Sequence, residues 1–266
     1  MSITEPYTFE AGTIPLLLSI PHAGTRLTPA VADGLSDAAR PLPDTDWHIP
    51  RLYDFARALG AHILIGTYSR MVIDLNRPAD DKPLYTTATT GLYPETLFDG
   101  TPVFKPGATP DKAERRRYLD EIWHPYHRKL QDCLSDIKAQ HEYALLLDAH
   151  SIASVIPRLF EGTLPDLNFG TNDGMSCAPS LGEALAAFCR QQPFTHVING
   201  RFKGGYITRA YGQPHARQHA VQLELAQCNY MREEQPFDYL PERAGQLQQA
   251  LRSLVATLLS WGQQPR

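Results

Sequence analysis

The sequence predicts an α/β fold, with a mixed, largely parallel sheet flanked on both faces by helices. Two observations predict it: short apolar runs stop at polar turns, as buried strands do, and segments with apolar residues at helical spacing alternate with those runs. A third is the absence of any composition break or internal repeat, which places residues 1–266 in one domain. At 42% hydrophobic and 20% charged residues, a chain of this length buries a core without disulfides or a structural metal.

The first apolar run, Leu16–Ile20, leads into Pro21-His22-Ala23-Gly24 and reads as a buried strand opening onto a loop. Helical spacing follows over 45–59 through Trp47, Ile49, Leu52, Tyr53, Phe55, Ala56 and Leu59, with Asp44 or Thr45 placed to cap it and Gly60 to end it. Strands are expected at 61–65 and 71–75, and the Pro- and Gly-containing stretch 76–107 as mostly loop. Over 110–140 an apolar stripe of Leu119, Ile122, Trp123, Tyr126, Leu130, Leu134 and Ile137 predicts a helix that Pro125 bends or interrupts. A strand at 143–147 ends at Asp148-Ala149-His150-Ser151. A helix at 180–191, a strand at 195–198, strand-like runs at 205–208 and 220–226, and a closing helix at 241–259 complete the pattern.

Charge and motif content exclude several functions. The net charge is -4, and the basic run Arg115-Arg116-Arg117 sits between Glu114 and Asp120, so no stripe for nucleic acid forms. The opening residues lack a basic region followed by an apolar one, and no run approaches the ~18 apolar residues of a membrane span. A cytoplasmic protein acting on a small molecule, with no membrane partner, is the expectation. Cys133, Cys177, Cys189 and Cys228 are scattered without a CxxC and read as reduced, mostly buried thiols. Glycine-rich nucleotide signatures and a GxSxG elbow are absent.

Ligands in open α/β sheets bind beyond the carboxyl ends of strands, and polar residues stand at those ends here. His22 follows the first strand, His150 follows the strand at 143–147, Glu224 lies in the run 220–226, and Asp46 opens the helix after the His22 loop. Two imidazoles and a carboxylate are the usual protein ligands of a catalytic zinc. Each alone also suits a blander role: a solvated histidine, or an acid facing a helix dipole. Glu224, flanked by Leu223 and Leu225, is expected in an apolar setting that raises its pKa, with Gln222 on the opposite sheet surface; an edge-strand acid facing solvent is the alternative. Arg70 and Arg77 flank 71–75, while Lys203 and Arg209 bracket Gly204-Gly205; these four are the candidate binders of substrate carboxylates.

At these residues the chain resembles the N-formylglutamate amidohydrolases, or N-formylglutamate deformylases, of histidine degradation. The blocks that carry the likeness include Ser19-Ile20-Pro21-His22-Ala23-Gly24, Asp44-Thr45-Asp46-Trp47, Ile73-Asp74-Leu75-Asn76-Arg77-Pro78, Trp123-His124-Pro125-Tyr126-His127 and Asp148-Ala149-His150-Ser151-Ile152. Pro157 to Gly162, Asn168 to Asn172, Lys203 to Arg209 and Gln222 to Leu225 continue it, so that it spans nearly the whole chain. The resemblance implies a zinc-exopeptidase-like fold and one divalent metal, zinc or in its place cobalt or another. It implies His22 and His150 as ligands and Glu224 as the general base. Carboxypeptidase-like relatives place the acid three residues after the first histidine, where this chain has Thr25; by position Asp46 takes that role, with Asp44 as its competitor. Tyr93 stands where the family leads one to expect cysteine. The implied reaction is hydrolysis of N-formyl-L-glutamate to L-glutamate and formate. The rivals are a related amidohydrolase for another N-acyl acidic amino acid and a non-catalytic dicarboxylate-binding protein.

Overall fold

The computed structural model describes residues 3–84 and 89–263. Its strands are β1 (Tyr7–Glu10), β2 (Leu16–Ile20), β3 (His62–Gly66), β4 (Ala144–Ile152), β5 (Leu167–Gly170), β6 (His196–Ile198) and β7 (Gln218–Ala226). They form one seven-stranded sheet in the order β1-β3-β2-β4-β7-β5-β6. The central pairings β3-β2-β4-β7 are all parallel, β1 and β5 run antiparallel to β3 and β7, and β6 is parallel to β5. The mixed, largely parallel sheet expected from the sequence is the one the chain forms. The chain goes from β2 to β3 on one side and then crosses back to β4 on the other side of β2, which opens a crevice at their carboxyl ends.

The helices are α1 (Pro29–Gly34), α2 (Ile49–Leu52), α3 (Phe55–Ala58), α4 (Lys112–Tyr118), α5 (His124–His141), α6 (Pro179–Arg190), α7 (Tyr206–Tyr211) and α8 (Pro241–Gly262). All residues of β2, β4 and β7 are buried, because helices cover both faces. Strand alternation sorts them. Leu16, Leu18, Leu145, Leu147, Val221 and Leu223 join a core with Leu181, Leu185 and Phe188 of α6 and Leu247, Leu251 and Leu254 of α8. Leu17, Leu146 and Ala220 face the other way, onto Tyr126, Leu130 and Leu134 of α5. Among the described residues no helix is long and apolar enough to cross a membrane.

Four expectations change in the structure. The helix expected over 45–59 is two short turns, α2 and α3, because Pro50 at the start of α2 fixes where that helix begins and leaves Asp46 in the preceding loop. The apolar run 71–75 is buried but turns: Val72 N–H donates to Ser69 O at 2.9 Å, and Asp74 Oδ1 accepts from Asn76 N–H at 2.8 Å. Residues 205–208 belong to a helix, α7, with Gly205 at its N-cap. Pro125 does not break the long helix: a π turn at Leu119–Trp123 widens the backbone just ahead of it, and α4, the π turn and α5 run on without a gap. Strands β1 and β5, unexpected from the sequence, are only four residues each.

Candidate active site

The site begins where α5 stops covering its face of the sheet. One pleat beyond Leu17, Leu146 and Ala220 come Ser19, Asp148 and Gln222, in register across β2, β4 and β7. One pleat further, His150 stands opposite Glu224. A period of two puts all five on the α5 side, so a polar floor succeeds an apolar one. Ser19 Oγ is the seam, 3.0 Å from Tyr126 Oη and donating to Asp148 Oδ1 at 3.1 Å. Gln222 was expected on the surface opposite Glu224; residues two apart share a face, and Gln222 Nε2 donates to Glu224 Oε2 at 3.4 Å. Strand β4 also runs past residue 147, which places Asp148 and His150 inside the strand rather than after it.

His22 reaches the same place from the loop after β2. Gly24 lets that loop pass against Thr67 and Tyr68, since a Cβ there would lie 2.5 Å from Tyr68 O. The Asp46 N–H donates to His22 O at 3.1 Å and joins the two loops. His22 Nδ1 lies 3.7 Å from Asp46 Oδ2, and His150 Nδ1 lies 3.1 Å from the same oxygen. One ligand atom from each of these three buried residues falls within 4.8 Å of the others, the only such group of His, Cys, Asp and Glu among the described residues. Asp46 Oδ1 is buried with no hydrogen-bond partner. Two ring nitrogens and one carboxylate, one of whose buried oxygens has no hydrogen-bond partner, suit a divalent cation. Asp44 is placed otherwise: its Oδ2 accepts from Phe98 N–H at 2.9 Å, and burial pushes its carboxyl up to about 6.

Each imidazole is braced from behind. His22 Nε2–H donates to Asp74 Oδ1 at 2.8 Å, which leaves Nδ1 as the nitrogen that can take a cation. Burial, with the Arg70 charge nearby, lowers the His22 pKa and favours that neutral ring. Burial alone would raise the Asp74 carboxyl, but Arg70, at 2.6 Å, and His22 hold it well below the usual range. His150 Nε2 lies 3.0 Å from Asp148 Oδ2 and 3.0 Å from Asn76 Nδ2. Burial opposes its charge, yet Asp148 and Asp46 outweigh that and raise it well above its ordinary value.

His22, His150, Glu224 and Gln222 line one cavity with Asn76, Arg70 and Arg77. Glu224 is buried, and burial pushes its carboxyl up to about 7. Of the four expected carboxylate-binding cations, Arg70 and Arg77 are in this lining; Lys203 and Arg209 are not. The reason is the replacement of the expected strand at 205–208 by α7: Lys203 pairs with Asp173 at 3.1 Å near the surface, and Arg209 Nε donates to Gly204 O at 2.8 Å. Asp74, Asn76 and Asp148 lie in the blocks that carry the family resemblance but were given no site role, and Arg201, which lines the cavity, lies outside those blocks. Asp148 stands two residues before His150, so the strand period could have found it; Arg201 carried no signal.

The pattern of the N-formylglutamate amidohydrolase family matches residues 14–231. The chain belongs to that family. An N-formylglutamate deformylase of Pseudomonas aeruginosa is 58% identical over 98% of each chain, and one of Pseudomonas putida is 58% identical over 96% of each. An N-formylglutamate amidohydrolase of Ralstonia eutropha JMP134, 24% identical, shares the fold with a TM-score of 0.81 over 97% of this chain and 99% of that one. The blocks that carry the family likeness converge on the site. Gly205 N–H donates to Gln222 Oε1 at 2.7 Å and Ile207 N–H to Asn76 Oδ1 at 2.8 Å, so α7 pins two of the lining side chains. Tyr93, where the family suggests cysteine, donates to Arg115 O at 2.7 Å and is not part of the cavity lining.

Proposed function

We propose that this chain hydrolyses N-formyl-L-glutamate to L-glutamate and formate at the His22, Asp46 and His150 cluster. The observation that carries the reading is near-full-length identity to proteins named N-formylglutamate deformylase, and the cavity has the parts that such a reaction needs. His22, Asp46 and His150 would hold one divalent metal, zinc by the character of its donors. When bound, it polarises the formyl oxygen and favours ionisation of water. Glu224, raised towards neutrality by burial, takes the proton of the attacking water and returns it to the departing amine. Asp74 and Asp148 hold the imidazoles in place, and Asn76 braces His150. Arg77 brings positive charge to a substrate carboxylate, its guanidinium held in place by donation from Nε to Thr90 O at 2.7 Å, from Nη1 to Asn76 O at 2.9 Å and from Nη2 to Thr89 Oγ1 at 3.1 Å. Arg70 adds positive charge to the same wall while its Nη2 holds Asp74. A dicarboxylate-binding protein would have no use for the two braced imidazoles. Formate release from N-formyl-L-glutamate and from N-formyl-L-leucine tests the reading: strong preference for the former is expected, and equal rates overturn the dicarboxylate assignment.

A further inference from the structure

Arg201 lines the same cavity as Arg70 and Arg77, together with Ile152, which stands one pleat beyond His150 at the end of β4. It follows β6, and its Nε donates to Leu159 O at 2.7 Å, which fixes the plane of the guanidinium. Its Cζ lies 5.4 Å from the centre of the Phe202 ring. Leu159 and Phe202 pack on a small apolar cluster of Ile152, Ile156 and Leu164, separate from the two sheet cores. Ile152, Leu159 and Phe202 reach the cavity as an apolar wall, and Arg201 stands within that wall.

The arginines of the cavity are therefore not equivalent. Arg70 is engaged with Asp74 at 2.6 Å. Arg77 Nη1 donates to Asn76 O at 2.9 Å, and Asn76 Nδ2 is 3.0 Å from His150 Nε2, so the Arg77 guanidinium sits against the residue that braces a cluster imidazole. The substrate's carboxylates differ in the same sense: one is attached to the carbon that bears the amide nitrogen, the other lies beyond two methylenes. Resting on the reading above, we infer that Arg201 binds the distal, side-chain carboxylate. The wall of Ile152, Leu159 and Phe202 packs the methylenes, and Arg77 takes the carboxylate next to the amide. Arg201 thereby selects a glutamyl over a neutral side chain.

The test compares kcat/KM for N-formyl-L-glutamate and N-formyl-L-glutamine, whose neutral amide replaces the distal carboxylate. The unmodified enzyme should prefer the glutamate substrate. Arg201→Gln should lower that ratio by about 10- to 150-fold, the range of one charged hydrogen-bonded contact, mainly through KM. Arg77→Gln should lower both values together and keep the ratio. Arg201→Lys, which keeps charge but loses the fork, should fall between parent and Arg201→Gln, and it serves if the glutamine variant folds poorly. An unchanged ratio in the Arg201 variants, or an equal loss on both substrates, overturns the inference alone. No preference in the unmodified enzyme overturns the substrate reading and the inference with it.

Discussion

Glu224 is a carboxylate whose surroundings oppose its charge. Burial is the largest cause, and the Asp46 and Asp148 charges act in the same direction against His150 and Arg70. It stands across the strand pair from His150 without being one of the clustered ligand atoms. A base near neutrality at that position is suited to moving the proton of an attacking water, and removing it should affect turnover more than metal binding. Glu224→Gln keeps the shape and the contact with Gln222 but cannot accept a proton. Its kcat should fall by a factor on the order of 10²–10⁴ with the metal content of the parent. Loss of metal in that variant would make Glu224 a ligand, and a retained kcat would remove it from the mechanism.

Helix α5 is the element that positions the site without entering it. His127 donates from Nε2 to Leu75 O at 2.9 Å and accepts at Nδ1 from Tyr211 Oη at 2.9 Å, stacked on Trp123 with ring centres 3.8 Å apart. Trp123 Nε1, in the π turn that leads into α5, donates to Arg77 O at 2.9 Å, so the turn and the helix together grip both ends of the Leu75-Asn76-Arg77 segment. Burial pushes His127 down to about 3. It stays neutral in the folded chain while the unfolded chain takes up a proton below about 6.5, so its contribution is present above that pH and is lost as pH falls towards 3. His127→Asn should flatten the decline of urea-derived stability below pH 6.5 by up to about 1.4 kcal/mol per pH unit. Parallel pH profiles for parent and variant would contradict this role. Elements of this kind were legible unevenly in the sequence. Strands β2 and β3, part of β4, and helices α6 and α8 follow from period and length. The runs 71–75 and 205–208 misled because apolarity reports burial and not backbone angles; an Asp74 turn and a Gly205 cap decided those.

At the scale of the molecule, the sheet order explains why residues as far apart in sequence as His22 and Glu224 meet. The reversal of strand order about β2, with β3 on one side and β4 on the other, opens the crevice, and three parallel strands deliver their side chains to it in register. His22, Asp46, His150 and Glu224 were legible because strand ends and one carboxylate among leucines mark such sites locally. Asp74 and Arg201 were not, since only tertiary packing brings a buried turn and the segment after β6 to the same cavity. A core on each face of the sheet holds this frame together, so loss of the ion should leave the protein folded and inactive. The most direct measurement is formate release from N-formyl-L-glutamate by chelator-treated protein as zinc is added back. Activity should be absent in the metal-free protein and rise linearly until about one zinc per chain is bound, the occupancy expected of a single three-ligand site. Full activity in protein shown to contain no metal would contradict the account.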